Sequence, residues 1–551
     1  MSDHSGRYWL VYNGEIYNHV QIRRTLENEG AVFRTHSDTE VLLHSLIRWG
    51  MTALTRIEGM YAFAFWDSNT HTLLLVRDRF GIKPLYYTLR DGILAFGSEI
   101  KALLELEGLI WHLNKAALLD YLTYRYIPGP GTIYREIQSL PAAHAFRIQF
   151  DGTINTRIWS YWDLTVSAER RISLNDAAEE LDSLLDVVCR EHLISDVPIG
   201  TFLSGGIDSG SVVVHSQANS PRPMVAVTVG FKGMDNTKFN EIGVARQIAS
   251  QVGAVPKPVE MDFDVFGLLP EIVKAFDEPM ADPSALPVYL MMRVARGEAK
   301  VMLSGDGGDE VFGGYNRYRR ALGTRENPIV RRARDFILRT LGRLEEHYMK
   351  RYLDIVRIST PAEAHDLLNM EAPALNTNHG FPLAGIDKRY PVAANRDVLT
   401  QWQHLDIQTY LVDDNLKKAD RMGMAWGVEV RVPLLDRRIV EFGLSLPWRL
   451  RFDGIRGKTV LRESLRKHLP ERAVRRGKAG FKVPLSGWIR SADGRRCLEG
   501  LLNPSQPIWD LLHPSVAKKW VSQHFAEKKN RSEQIWSLLV LNEWLHSARL
   551  A

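Results

Sequence analysis

An apolar run, Val197-Pro198-Ile199-Gly200-Thr201-Phe202-Leu203, breaks into Ser204-Gly205-Gly206-Ile207-Asp208-Ser209. A second apolar run, Val212-Val213-Val214, follows. Strand, Ser/Gly-rich turn and then helix is the geometry that points backbone N–H groups at an anion. The two glycines let the backbone approach a phosphate closely, and Ser204 and Ser209 add hydroxyl donors. Asp208 would repel phosphate unless a cation bridged them, so the string implies Mg²⁺. No lysine closes the turn, which excludes the GxxxxGK[ST] phosphate loop. An ordinary strand-to-helix turn is the alternative, and the full string in this context favours the phosphate reading.

The surroundings constrain the fold further. Ser173, with Asp176 three residues on, predicts a helix start. Leu174, Ala178, Leu181, Leu185 and Val188 then line one face. Cys189 lies beside that stripe and reads as a core residue rather than a nucleophile. Strand 197–203, helix 209–218, strand 224–231, helix 239–252, strand 255–261 and strand 299–303 follow. This alternation predicts an α/β fold with a doubly wound parallel sheet, which binds nucleotides outside the carboxyl ends of its strands.

A second glycine-rich acidic string, Ser304-Gly305-Asp306-Gly307-Gly308-Asp309-Glu310, follows Val301-Met302-Leu303 directly. Two strand-end loops of this kind are expected to face each other across one crevice, with Asp208 and Asp309 sharing a Mg²⁺. A calcium loop is rejected, because Val311-Phe312-Gly313-Gly314 continues the string without the alternate oxygen ligands such a loop needs. Asp277-Glu278-Pro279-Met280-Ala281-Asp282-Pro283-Ser284-Ala285 is a polar, proline-broken loop. Arg475-Arg476-Gly477-Lys478-Ala479-Gly480-Phe481 is a basic loop, either a surface cluster or a place where a lysine neutralises charge building on phosphorus. Asp413 to Met422 reads as a loop leading into Val428-Glu429-Val430-Arg431. Glu429, flanked by apolar residues, is expected to be buried and to need a partner such as Arg431, or to face substrate.

Residues 1–160 read as a β-rich, layered α+β domain. The expected strands are 8–12, 61–66, 72–77, 84–89 and 93–97, with helices over 18–29 and 38–49. Residues 156–172 read as a linker, 173–551 as the second domain with helical additions, 315–400 as mostly helical, and 401–551 as helices with two loops. Length allows roughly two to four domains. A hydrophobic share of 45% and a net charge of +5 over 551 residues describe an ordinary globular chain without a nucleic-acid stripe. Cys189 and Cys497 are the only cysteines, so there is no disulfide framework and no CxxC zinc site. No apolar run reaches membrane-spanning length and no signal-peptide pattern opens the chain. The cytoplasm is the expected location.

Six ordered strings resemble the glutamine-dependent asparagine synthetase family: NGEIYN (13–18), LSGGIDS (203–209), DEPMADPSALP (277–287), SGDGGDEVFGGY (304–315), KKADRMGMAWGVEVRVPLLD (417–436) and RRGKAGFKVPL (475–485). LSGGIDS resembles the PP-loop of enzymes that cleave ATP to AMP and pyrophosphate. The resemblance implies a glutaminase domain that releases ammonia and a synthetase domain that adenylates the side chain of aspartate with ATP and Mg²⁺. It implies nucleotide contacts at Leu203, Ser204, Gly205, Gly206, Ser209, Val229, Ser304 and Gly305, and Mg²⁺–pyrophosphate ligands at Asp208 and Asp309. It places Asp306 near acyl-adenylate formation, Lys478 at the phosphorus transition state and Glu429 near the acyl substrate. It puts Asn13 and Gly14 in an oxyanion hole, with Glu15 and Asp38 on the glutamine backbone. The expected partners are the small molecules aspartate, ATP and glutamine or ammonia, with a homodimer as the candidate assembly and neither nucleic acid nor membrane.

The family's nucleophile is an N-terminal cysteine, and this chain has no cysteine before Cys189. Several dozen residues carrying that cysteine precede the matching segment in the family, so a misplaced start or a fragment is the preferred explanation. The expectations are ammonia-dependent amide formation, and poor solubility or the need for a partner where sheet edges are left open. Two alternatives are a family relative acting on another carboxylate, such as a sugar acid, a peptide or a β-lactam precursor, and a non-catalytic subunit that keeps the fold. A tRNA-modifying enzyme would want a basic groove, which is not visible.

Overall fold

The computed structural model describes residues 1–164, 169–231, 241–261, 264–324, 326–369, 396–477 and 483–550. Its first part is built on β1 (Tyr8–Ile16), β2 (Gly59–Asp67), β3 (Thr72–Arg77), β4 (Tyr86–Arg90), β5 (Ile93–Gly97), β6 (Gln138–Ser139), β7 (His144–Phe150) and β8 (Ile154–Ser160). Strands β1-β2-β3-β7-β8 form one antiparallel sheet, and β5-β4-β6 a smaller one. Alternation along β2 shows how the layers arise, since successive side chains point to opposite faces. Tyr61 and Phe63 pack with Ile22, Leu26, Val41, Leu42 and Leu46 of helices His19–Asn28 and Asp38–Trp49. Ala62 and Ala64 face the other way, onto Leu85 and Tyr87 near the smaller sheet. β1 is a sheet edge; its start is bridged by Ser2, and Trp9 and Val11 remain 53% and 66% exposed.

The second part holds a five-stranded parallel sheet of β9 (Ile199–Phe202), β10 (Val225–Phe231), β11 (Val255–Met261), β12 (Val301–Leu303) and β13 (Glu429–Arg431). Its order is β11-β10-β9-β12-β13. The chain winds outward from β9 to β11, then returns on the other side of β9 with β12. The winding therefore reverses between β9 and β12, where an open parallel sheet leaves a crevice at its carboxyl edge. Helix Leu174–His192 starts where Ser173 and Asp176 predict, with Ser173 Oγ accepting from Asp176 N.

Four expectations are corrected. Residues 156–160 are not linker but the end of β8, a sheet-edge strand whose mostly exposed side chains disguise it as loop. The expected strand 84–89 lies at Tyr86–Arg90. The 413–422 run is helix, entering as a wide i→i+5 turn over Leu411–Leu416 and continuing through Lys417–Met424. Its charges are buried against partners, so polarity does not mark it as a surface loop. Residues 428–431 carry a strand of three residues, β13, too short for any periodicity to reveal.

The two parts pack through buried ion pairs as well as apolar contact. Lys83 Nζ lies 3.2 Å from Asp420, Arg437 Nη2 lies 2.6 Å from Glu58, and Ile100 N donates to Asp277 Oδ2 at 2.9 Å.

Candidate active site

β9 and β12 are neighbours, so the loops that leave their carboxyl ends lie side by side. The first is held by its own hydroxyls: Ser204 N donates to Ser209 Oγ at 3.0 Å, and Gly206 N donates to Ser204 Oγ at 3.1 Å. Gly206 then caps helix Ile207–Asn219, with Asp208 in the first turn. In the second loop Ser304 Oγ donates to Asp306 Oδ2 at 2.8 Å. The loops touch backbone to backbone. A Cβ on Gly305 would fall 2.6 Å from Ser209 N and 2.8 Å from Asp208 C, and one on Gly308 would fall 2.5 Å from Asp208 Oδ1. Glycine at 305 is what allows this approach.

Between the loops lies a residue the motif search passed over. Lys458, in a left-handed conformation (φ 64°) ahead of helix Thr459–Ser464, is buried. Its Nζ donates to Asp208 Oδ2 and lies 2.7 Å from Asp309 Oδ1. Burial works against the ammonium, but the two carboxylates outweigh it and raise its pKa. Lys458 stands in the short string Gly454-Ile455-Arg456-Gly457-Lys458-Thr459, which no strand-to-helix context singles out; its positive φ and its place between the two carboxylates are visible only in three dimensions.

These groups form one end of a cavity of about 1150 Å³. Leu203, Ser204, Gly206, Asp208, Ser209, Val229, Ser304, Gly305, Asp306 and Asp309 all line it. Gly205 does not, because Arg476 lies across it: a Cβ there would fall 1.8 Å from Arg476 Nη1. Arg476 in turn pairs with Glu241 at 3.1 Å, so the start of the basic 475–481 string reaches the first loop. Lys478 lies outside the described residues. The lining also carries a cluster of both signs of charge. Lys418 Nζ pairs with Asp282 at 2.6 Å and Asp414 at 3.2 Å, with Arg125 beside them. Burial pushes the Asp414 carboxyl up to about 7, helped by Asp282 and opposed by Lys418. Asp282 is also buried, yet Lys418 and Arg125 hold it far below the usual carboxylate range.

Asp208 and Asp309 are hard oxygen donors on two loops that converge on one point, already balanced by a cation, and they fit Mg²⁺. The helix N-terminus beside them favours anions. The arrangement can hold a polyphosphate at one end and a small zwitterion at the other.

The four residues expected around glutamine lie together in the first part. Gly14 packs so tightly on β2 that a Cβ would fall 2.1 Å from Met60 O. Asn13 Nδ2 donates to Ser98 Oγ at 3.2 Å. Asp38 accepts from Tyr12 Oη at 2.7 Å and from Ile16 N at 3.1 Å. Glu15 pairs with Arg431 at 3.1 Å. Glu429 is half-buried rather than buried, and Arg431 is its partner, 2.7 Å away. It starts β13, in register with Val301 at the amino end of β12, so the structure places it with Glu15 and not on the wall of the large cavity.

Comparison with known proteins adds the family. The family model described as asparagine synthase matches residues 180–546, and that of the glutamine amidotransferase domain matches residues 1–162. Asparagine synthetase [glutamine-hydrolyzing] 1 of Bacillus subtilis is 31% identical over 98% of this chain and 86% of its own length. A putative asparagine synthetase [glutamine-hydrolyzing] of Mycobacterium bovis is 33% identical over 98% of this chain and 84% of its own. Asparagine synthetase [glutamine-hydrolyzing] 3 of B. subtilis is 30% identical over 98% and 88%. With a synthase match over most of its length and relatives of this identity from end to end, the chain belongs to the asparagine synthase family.

Proposed function

We propose that the chain is an ATP-dependent ligase that converts aspartate to asparagine through a β-aspartyl-AMP intermediate. The observation that carries this reading is Lys458 held between Asp208 and Asp309 in the lining of the large cavity, which the charged cluster of Lys418, Arg125 and Asp282 also lines. In this reading residues 1–160 are the glutaminase-like domain and 173–551 the synthetase domain.

The chemistry needs an activated carboxyl, because a carboxylate is a poor electrophile at neutral pH. A β-carboxylate oxygen of aspartate attacks the α-phosphorus of ATP and pyrophosphate leaves. Ammonia then attacks the acyl carbon and AMP leaves. The serine hydroxyls and N–H groups of 204–209 hold phosphate oxygens, and Lys458 neutralises the charge that develops on phosphorus and on the departing pyrophosphate. Mg²⁺, when held by Asp208 and Asp309, would supply further neutralisation of the triphosphate. Arg125 and Lys418 suit the α-carboxylate of aspartate, and Asp282 suits its ammonium. Enclosure keeps water from the acyl-adenylate.

Neither cysteine suits glutamine hydrolysis. Burial pushes the Cys189 thiol up to about 12, and burial raises Cys497 as well. Residues 1–551 are therefore proposed to take nitrogen from ammonia. The test measures pyrophosphate release and asparagine from ATP–Mg²⁺ and aspartate, with ammonium or glutamine as nitrogen source. Asparagine from ammonium alone supports the whole reading. Asparagine from glutamine as well overturns the ammonia-only part, and none from either overturns aspartate as the acceptor.

A further inference from the structure

Three segments meet at a cluster that shares no residue with the lining of the large cavity. Helix Leu174–His192 brings Asp182, helix Ile207–Asn219 brings His215, and the turn after helix Thr459–Ser464 brings His468. His468 Nε2 lies 2.8 Å from Asp182 Oδ1, and His215 Nε2 lies 3.5 Å from the same oxygen. The three ligand atoms all fall within 4.8 Å of one another, the one such trio of His, Cys, Asp or Glu among the described residues.

His215 is the unusual member. Its side chain is buried at 3% exposure, and its Nε2 has no hydrogen-bond partner although it faces the Asp182 carboxylate. A buried polar nitrogen left without a partner is rare in folded proteins and asks for a ligand. The trio opens onto a solvent-facing cavity of about 770 Å³, which offers an entry path.

We propose that Asp182 Oδ1, His215 Nε2 and His468 Nε2 form a binding site for a divalent transition metal of the zinc class, with water as the fourth ligand. Two imidazoles and one carboxylate suit zinc, whose bonds of about 2.0–2.1 Å place tetrahedral ligand atoms roughly 3.3 Å apart. The separations of 2.8 and 3.5 Å straddle that value. The donor set does not suit Mg²⁺, which prefers an all-oxygen shell, so the site is distinct from Asp208 and Asp309. Lys467 Nζ holds the other carboxylate oxygen of Asp182 at 2.7 Å, which orients Oδ1 toward the histidines but also sets a competing cation nearby.

The site's place in the fold gives it a consequence. His215 lies two helical turns after Asp208 on the same helix, and His468 follows Lys458 by ten residues. A metal here would staple together the two segments that deliver Asp208 and Lys458 to the catalytic cavity.

The test is zinc binding by the full chain after chelator treatment, with Mg²⁺–ATP kept saturating so that Asp208 and Asp309 are occupied. Metal content after gel filtration, and the melting temperature with and without Zn²⁺, are read for wild type, His468→Gln, Asp182→Asn and Lys467→Met. Neither His468 nor Asp182 is fully buried, at 30% and 15% side-chain exposure, so both variants are expected to fold, and circular dichroism checks that they do. One zinc per chain and a rise in melting temperature are expected, because a ligand that binds only the native state stabilises it. Both effects should be lost in His468→Gln and Asp182→Asn, weakening affinity by more than the roughly 10–100-fold that an outer-shell partner costs. Lys467→Met should tighten binding. Less than stoichiometric zinc in the wild type, or binding unchanged in His468→Gln and Asp182→Asn, overturns the proposal. Cobalt in place of zinc gives a second readout, since d–d bands absent from folded His468→Gln would assign the ligand directly.

Discussion

Arg431 Nη2 lies 3.1 Å from Glu15 Oε2, and this pair ties the end of β13 to the end of β1. Arg431 is 2% exposed and uses its other donors fully: Nε bonds Glu429, and Nη1 donates to His192 O at 2.9 Å and Ile194 O at 2.7 Å. The guanidinium therefore joins a candidate glutamine-site residue, the parallel sheet and the end of helix Leu174–His192. A communication route between the two parts of the chain has to reckon with this contact.

The Glu15 carboxyl is raised to about 7 by burial, with Arg431 only partly offsetting it. In the unfolded chain it titrates near the ordinary glutamate value of 4.5. Between those values the native state holds a proton that the unfolded state has lost, so Glu15 makes the chain less stable as pH rises from about 4.5 to about 7. Melting temperatures across that window should fall less steeply for Glu15→Gln than for wild type. Parallel slopes would refute the assignment.

Lys458 neutralises Asp208 and Asp309 at the mouth of the helix. Lys458→Met should lower kcat for pyrophosphate release by roughly 10²–10³-fold, the cost of losing one preorganised electrostatic contact in an enclosed site. Steady-state kinetics against ATP and aspartate reads it. Because the charge matters most as phosphorus reacts, KM for aspartate should move far less.

Gly305→Ala puts a methyl carbon within 2.6 Å of Ser209 N, and backbone cannot yield as a flexible side chain can. The two glycine-rich loops must separate, at a cost of about 1–3 kcal/mol of the kind overpacking brings. ATP binding, measured calorimetrically, should weaken, while Gly253→Asn, a change at a left-handed helix end with open space around it, should leave ATP affinity unchanged.

The Lys83–Asp420 pair is 3% and 7% exposed and spans the two parts of the chain. Lys83→Met leaves an uncompensated buried carboxylate and should destabilise by about 3–5 kcal/mol, whereas Lys83→Met with Asp420→Asn should recover part of that loss. Urea unfolding of the two single variants and the double variant supplies the cycle.

The two glycine-rich loops were legible because their pattern is local. Glycines and serines between a strand and a helix stand out from a few adjacent residues, and Ser204, Asp208, Ser304 and Asp309 do meet in one cavity. Helices with strong periodicity, such as Leu174–His192, were legible for the same reason. β8 and β13 were not: one exposes most of its side chains at a sheet edge, and the other has three residues, so neither shows the alternation that marks a strand. The partners of the 413–424 charges were not legible either, since in the fold Lys417, Lys418, Asp414 and Asp420 pair with distant segments.

By itself, then, the amino-acid sequence determined the alternating sheet, the two glycine-rich strand-end loops and the family, since each rests on residues that are neighbours in the chain. Only the tertiary structure decided that Lys458 sits between Asp208 and Asp309, that Glu429 answers to Arg431 and Glu15, and that His215 and His468 share Asp182. Those partners lie tens to hundreds of residues apart, and what brings them together is the burial of charge, which obliges each ionised group to find its counterpart wherever the fold supplies one.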